Sequence, residues 1–177
     1  MTLRDGGRET EHRVLERLKE WIALSGDTAE LYEAEARGET IEILGAMFTR
    51  FGEHLDTIPG EFLFRDVPGD PDGARYFCTV LTLKDEILLD QVPELSYGIS
   101  ILNFYIESGC FALNSTADRL VFRSTRIFSG SAAEEDIPGE CVMEAEQALD
   151  TLRTYNTAVQ CLAEGSLPLE GFMELFG

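Results

Sequence analysis

The apolar pattern is strongest between residues 93 and 128, where it predicts a helix followed by a β-hairpin. Over 95–106, apolar residues cover most of a helical cylinder and leave one narrow polar stripe. A helix of this kind is expected to be buried on two sides. Gly109 ends the helical pattern, and two apolar runs with strand character follow at 110–113 and 119–128, separated by a polar turn.

The first third of the chain shows mainly helical spacing of its apolar residues. An amphipathic helix is predicted over 9–24. For 27–39 two patterns compete, because Asp27 followed by Glu30 fits a helix capping box, whereas alternation with period two fits a hairpin strand. We favour the helix, since alanine and glutamate are good helix formers and weak strand formers. Helical spacing then resumes over 40–55.

The remaining elements follow from turn residues and periodicity. Alternating segments at 61–67 and 74–83 flank a dense turn and predict a second hairpin. The stretch 84–91 fits either a short third strand or an irregular turn. Over 140–163 the apolar residues are spaced four and three apart, which suits either a coiled-coil seam or a face packed on a sheet. The small alanine and cysteine residues leading that stripe favour the sheet.

These elements predict an α+β protein with an antiparallel sheet of about five strands and helices packed mainly on one face, in the order α-α-β-β-(β)-α-β-β-α. We expect an N-terminal helical extension over 1–39 and a single α+β domain over 40–177. Alternate strand positions would leave apolar side chains on the other face, and such a surface is suited to binding. The side chains that we expect to make protein contacts are Phe62, Phe64, Tyr76, Phe122 and Arg123.

The net charge of the chain limits the classes of partner that we expect it to bind. Asp and Glu number 33 against 14 Lys and Arg, giving a formal net charge of −19. Such a surface repels phosphate backbones and anionic lipid, so we expect no nucleic-acid or membrane partner. The excess fits either simple solubility or a surface that attracts basic partners.

The cysteines and the N-terminus indicate a reducing compartment. Cys78, Cys110, Cys141 and Cys161 show no C-x-x-C spacing and lie in apolar patterns, which is typical of reduced core thiols. There is no apolar signal segment at the start and no run of 18 apolar residues. We therefore expect a cytoplasmic protein.

Catalytic and metal-binding motifs are lacking in the sequence. No glycine-rich phosphate loop and no G-x-S-x-G nucleophile motif is present. The two histidines, His12 and His54, have no partner ligands at local spacing and are interpreted as structural. We therefore predict no catalytic residue, no cofactor and no metal.

The segment Ile99-Ser100-Ile101-Leu102-Asn103-Phe104-Tyr105-Ile106 and the order of the elements resemble the YbjN-like proteins, which share the type III secretion chaperone-like fold. The hairpin segments 109–113 and 120–123 and the closing helix 140–163 are also similar, so the resemblance covers about residues 40–165. Two helical segments before Thr40 are more than the minimal fold needs. The resemblance implies a small, acidic, cytoplasmic protein that binds other proteins, usually as a homodimer, with no catalytic residues.

Three hypotheses follow. The leading one is a non-enzymatic protein-binding module, chaperone-like or regulatory, that acts as a homodimer through an apolar sheet face and an acidic surface. The second is a small-molecule-binding or thiol-dependent enzyme whose pocket lies between the sheet and the helix 93–108, using Asn103, Tyr105 and Cys110. The third is a self-contained structural protein whose N-terminal helices cover the sheet face.

Overall fold

The computed structural model describes residues 3–36, 38–51, 56–70, 73–114, 118–130 and 132–176. Within them the chain forms four helices and one six-stranded antiparallel sheet, which confirms the α+β class and adds one strand to the predicted number. In chain order the elements are α1 (Leu3–Leu24), β1 (Thr28–Ala36), β2 (Glu39–Phe51), β3 (Asp56–Asp66), β4 (Arg75–Lys84), α2 (Val92–Leu102), β5 (Cys110–Asn114), β6 (Arg119–Phe128), α3 (Ile137–Ala163) and α4 (Leu169–Glu174).

The sheet has the strand order β1-β2-β3-β4-β6-β5. Its first four strands form a meander, in which each strand pairs with the next one along the chain. After β4 the chain passes through α2 and returns as β5 at the far edge, and β6 then fills the place between β4 and β5. The two edges of the described sheet are therefore β1 and β5.

The predicted helices over 27–39 and 40–55 are wrong for the described residues, because Thr28–Ala36 and Glu39–Phe51 form the hairpin of β1 and β2. Gly38 has a φ of +83° in the turn, a conformation that glycine adopts without strain. Helical spacing misled in β2 because Ile43 and Leu44 are neighbours on opposite faces and both are buried. A strand buried on both faces loses the clean alternation that marks a strand in the sequence.

The predicted helical extension over 1–39 is correct only for its first part. The helix expected over 9–24 is confirmed as α1, but Thr28–Ala36 lies in the sheet, where pairing with β2 overrides the helix propensity of alanine and glutamate. His54, whose structural role was predicted, lies outside the described residues.

The other predictions of secondary structure are largely confirmed. The hairpin of β3 and β4, the helices α2 and α3 and the strands β5 and β6 form where expected. In the stretch 84–91, Lys84 ends β4 and residues 85–91 form an irregular turn and not a third strand. Contacts to strands confirm the sheet-packing reading of α3, since Glu140 pairs with Arg126 of β6 and Gln160 bonds the Leu83 carbonyl oxygen of β4.

The chain divides into two compact units, and neither is continuous in sequence. The first unit comprises Met1–Phe48, Pro59–Thr79 and Thr125–Glu146, and the second comprises Thr49–Ile58, Val80–Ser124 and Gln147–Gly177. In the first unit, the rings of Phe48, Phe62 and Phe77 pack in sequence across three strands. In the second unit, the rings of Phe111 and Phe122 meet edge to face across the β5-β6 pair.

Candidate binding surface on helix α2

Three of the five side chains expected to contact a partner are buried in the core. Phe62, Phe64 and Phe122 are 0%, 6% and 0% exposed, so the predicted contact role is wrong for them. The predicted set combined residues from both faces of the sheet, since neighbours such as Phe122 and Arg123 point to opposite faces of a strand. Tyr76 and Arg123, which alternate with buried phenylalanines, lie on the opposite side and are half-buried and exposed.

The uncovered sheet face of the first unit is only partly apolar. Tyr32 lies across Gly45, where a Cβ atom would come within 2.9 Å of the ring, and its hydroxyl donates to Glu61 at 3.0 Å. Partial burial, together with that hydrogen bond, raises the pKa of Tyr32 to about 12. Met47 is 44% exposed nearby, and Thr28, its partner in β1, places it on the same face as Tyr32.

Helix α1 covers the other face of β1 and β2. His12 of α1 lies 2.9 Å from Glu42. Glu42 precedes Ile43, the cross-strand partner of Tyr32, so Glu42 and Tyr32 lie on opposite faces of the sheet. The described N-terminal helix therefore lies on the face of β1 and β2 opposite Tyr32.

A cleft of about 510 Å³ lies between α1 and the strands of the first unit, and charged side chains dominate its walls. Arg75 lies 2.5 Å from Glu11 and 3.1 Å from Asp66, within ion-pair distance but without the alignment of a hydrogen bond. Burial raises the pKa of Glu11 to about 7, although Arg75 opposes the shift. The charges of Arg75, Glu11 and Asp66 compensate one another where α1 packs against the strands, which suits a structural role.

Asn103, one residue of the predicted enzyme pocket, is fully engaged with the main chain. Its amide nitrogen donates to the Phe111 carbonyl oxygen at 2.9 Å, and its oxygen accepts from the Phe111 N–H at 2.8 Å. Tyr105 is 52% exposed and Cys110 is half-buried. The structure thus gives Asn103 the role of holding the chain between α2 and β5.

Helix α2 buries one side in the protein and leaves the other side open. Leu95, Gly98, Ile99 and Leu102 form the buried stripe, and α2 lies against α4 and β5. The expectation that the helix is buried on two sides is wrong, because Glu94, Tyr97 and Ser100 are all exposed. The name α2 surface is used here for Tyr97 and Ile101 of the helix together with Phe104 and Tyr105 of the turn that follows it.

The aromatic members of the α2 surface are well exposed. Phe104 is 85% exposed, Tyr97 55% and Tyr105 52%, and the rings of Phe104 and Tyr105 meet edge to face at 5.5 Å. Tyr97 lies on α2, and Phe104 lies in the turn that follows the last helical residue, Leu102. Tyr97 and Phe104 were not among the predicted contact residues, although the excess of apolar positions over 95–106 was the signal that could have found them.

An acidic groove of about 500 Å³ adjoins the α2 surface in the second unit. One wall is the turn 105–108, which follows α2, and the other is the outer side of α3 from Gln147 to Tyr155. Its charged side chains are Glu107 and Asp150. Asp150 pairs with Arg153 at 2.8 Å, but both side chains are more than half exposed, so that pair holds it weakly.

The sequence around the α2 surface is rich in carboxylates. Residues 85–108 contain five carboxylates and no Lys or Arg, and residues 154–177 contain three and again none. Cations just outside these ranges pair with some of the acidic side chains: Arg119 with Asp85, Lys84 with Glu164 and Arg153 with Asp150. The exposed aromatic rings therefore lie in a part of the chain where acidic residues exceed basic ones.

Neither a metal centre nor a membrane-spanning helix emerges from the part of the chain that the structure describes. Within that part, no group of three or more His, Cys, Asp or Glu side chains is placed to hold a metal ion. No described helix combines the length and the apolar character needed to cross a membrane. Comparison with known proteins finds no family model, no curated protein and no solved structure that matches the chain.

Proposed function

We propose that this protein is a non-enzymatic binding module that holds a segment of another protein against the α2 surface. The observation that supports this proposal most directly is the group of exposed aromatic side chains on α2 and in the turn after it. Tyr97, Phe104 and Tyr105 are each more than half exposed. Burying large apolar side chains of this kind against a partner is favourable.

The composition of the α2 surface also suits recognition. Tyr and Phe are enriched in protein interfaces, because each supplies a large contact area while fixing few rotatable bonds. In contrast, the uncovered sheet face of the first unit is interrupted by charged side chains such as Glu61 and Arg65. We therefore assign binding to α2 in preference to the sheet face.

The resemblance to YbjN-like proteins and to the type III secretion chaperone-like fold points in the same direction. Proteins of that kind act by contact, and no catalytic residue comes over from them. The surface proposed here includes Phe104 and Tyr105, which lie in the segment on which the resemblance rests.

The proposal is tested by photo-crosslinking the full-length chain in cells that produce it. A benzophenone amino acid replaces Phe104 in one variant and Leu24 in the other. Leu24 is the matched control, because it is 88% exposed and lies at the end of α1 in the first unit. We expect discrete heavier adducts from position 104 and not from position 24.

A second substitution distinguishes a specific adduct from a random one. Tyr97→Ser removes one ring of the α2 surface and should reduce the adduct yield at position 104, since we propose that one partner covers both side chains. Equal yields from positions 104 and 24, or a yield at 104 that ignores Tyr97→Ser, would contradict the proposal.

A further inference from the structure

We infer that the segment held by the α2 surface is a basic amphipathic helix, and that one of its Lys or Arg side chains enters the groove beside α3. The inference rests on the proposed function and specifies the chemistry of the partner. It combines three observations: the helical geometry of the apolar stripe, the sign of the surrounding charge and the lining of the groove.

The apolar part of the α2 surface offers a short ridge for helix packing. Tyr97 and Ile101 are four residues apart on α2, about one turn along the axis, and Phe104 follows in the turn after the helix. Side chains four residues apart form ridges that fit the grooves of a second helix. The groove beside α3 begins at Tyr105, the residue after Phe104.

The surrounding charge selects a basic partner. Glu94 lies three residues before Tyr97 on the same helix, Glu107 lies two residues after Tyr105, and residues 85–108 contain no cation. A segment with lysine or arginine along the edges of its apolar side would find opposite charge at both ends of the α2 surface. Complementary charge of this kind raises the association rate and excludes acidic competitors.

The groove beside α3 fits a long cationic side chain. Its two charged lining residues, Glu107 and Asp150, both carry carboxylates. Tyr105 and Tyr155 line the same groove and offer aromatic rings, over which the methylene stem and the charged head of Lys or Arg bind favourably. Its volume of about 500 Å³ leaves room for such a side chain together with water.

A second copy of this chain is a poor occupant of the same surface. Two copies joined through α2 would bring together surfaces that lack Lys and Arg over 85–108 and 154–177. Like charges across this interface would be repulsive. The charge pattern therefore favours a different, basic protein.

The test measures fluorescence anisotropy with three labelled helical peptides that share one apolar stripe and differ only in their polar positions, which are Lys, Glu or Gln. Each is titrated with the full-length protein at low and at high salt. We expect the Lys peptide to bind at least about tenfold more tightly than the Glu peptide, with a preference that shrinks as salt screens the charges. The Gln peptide should lie between them.

Two double variants locate the charge effect. Glu107→Gln with Asp150→Asn should weaken the Lys peptide about two- to fivefold, the range of partly exposed charge pairs, and leave the Gln peptide unchanged. Glu30→Gln with Glu35→Gln is the matched control, because it removes the same charge from β1 in the first unit. The control should leave the preference for the Lys peptide almost unchanged.

The outcomes separate this inference from the proposed function. If Lys, Gln and Glu peptides bind alike and Phe104→Ser abolishes all three, the basic-partner inference is overturned and the binding module stands. If no peptide binds, the inference is also overturned, and crosslinking at position 104 decides the proposed function. A dimer that Phe104→Ser dissociates would show that a second copy occupies the surface, again overturning the inference.

Discussion

The side-chain amide of Asn103 takes the place of a neighbouring strand for Phe111. It donates one hydrogen bond to the Phe111 carbonyl oxygen at 2.9 Å and accepts one from its N–H at 2.8 Å. In an antiparallel pair, alternate residues point their main-chain polar groups away from the partner strand. At Phe111 of the edge strand β5, both groups find a partner in this one side chain.

Replacing Asn103 with Ala should lower the free energy of unfolding by about 1–3 kcal/mol, because the Phe111 N–H and carbonyl then lose their partners. Ser100→Ala is the control, since Ser100 is an exposed polar residue of the same helix, and its effect should stay within about 0.5 kcal/mol. Urea denaturation followed by circular dichroism measures both. Equal stability of the two variants would refute the role assigned to Asn103.

The stability of the protein should depend on the protonation of Glu11. The pKa of Glu11 rises from 4.5 to about 7 because burial disfavours its charge, so the folded state binds the proton more tightly. The resulting stabilisation is fully present below pH 4.5 and is lost as the pH rises through 7. The upper limit of this stabilisation is about 3 kcal/mol, because each pKa unit corresponds to about 1.36 kcal/mol.

Glu11→Gln isolates this contribution. The native chain should lose unfolding free energy relative to the variant steadily from pH 4.5 to 7. Denaturation at fixed ionic strength measures both proteins. Glu20→Gln is the control, since that side chain is 65% exposed, and it should show no comparable trend. A pH-independent difference for Glu11→Gln would contradict the prediction.

Gly98 permits the close approach of α2 to its neighbours. A Cβ atom there would lie 2.4 Å from Leu162 Cδ2 and 3.4 Å from Phe172 Cε1, and both of those side chains are buried. Gly98→Ala should therefore cost about 1–3 kcal/mol by overpacking, more than the gain in helix propensity of at most about 1 kcal/mol.

Gly139→Ala is the matched control for this substitution. Gly139 lies in the first turn of α3, and a Cβ atom there would meet nothing within 4 Å. Gly139→Ala should leave stability unchanged or raise it slightly. We therefore expect Gly98→Ala to have the lower melting temperature of the two variants. A Gly98→Ala variant as stable as Gly139→Ala would show that Leu162 moves aside at no cost.

Cys141 should be the slowest of the four thiols to react. It is 0% exposed, and burial raises its pKa although Arg126 opposes the shift, whereas the other three cysteines are half-buried. A thiol-specific reagent at pH 8 should modify Cys141 last in the native protein and all four at once after unfolding. Rapid labelling of Cys141 in the native protein, located by mass spectrometry, would contradict this.

The homodimer implied by the family resemblance stays a prediction. Sedimentation velocity of the full chain should give about twice the monomer mass of 19.7 kDa. Phe104→Ser should not change that mass, because like charges disfavour self-association through the α2 surface. A monomer at all concentrations would contradict the homodimer and leave the α2 surface to a different partner.

The sequence predicted those parts of the fold whose signals are local. The strand at 119–128 was placed correctly because its alternation and its bounding turn are both contained in the segment itself. In β2, apolar residues occur on both faces and hide the alternation, so the helical spacing of Ile43, Leu44 and Met47 was misleading. Pairing with β1 decides that segment, and pairing is a non-local property.

The sequence pattern predicted the candidate surface only in part. The pattern over 95–106 showed more apolar positions than one buried side requires, but it did not tell that Tyr97 and Phe104 would remain in water. The facing of Phe62 and Phe122 was equally undetermined, because alternation divides a strand into two sets without saying which set the helices cover. The hydrogen bonds between Asn103 and Phe111 depend on the path of the chain between α2 and β5, and periodicity in the sequence does not predict that path.

The two edges of the sheet are protected against growth by different means. At β5, the Asn103 amide blocks the main-chain groups of Phe111, and salt or pH does not alter that block. At β1, protection comes from the repeated carboxylates of Glu30, Glu33 and Glu35, which repel an approaching strand only while they are ionised and unscreened. Acid or concentrated salt therefore exposes one edge alone, and a stacked or fibrous assembly of this protein would elongate from its first strand.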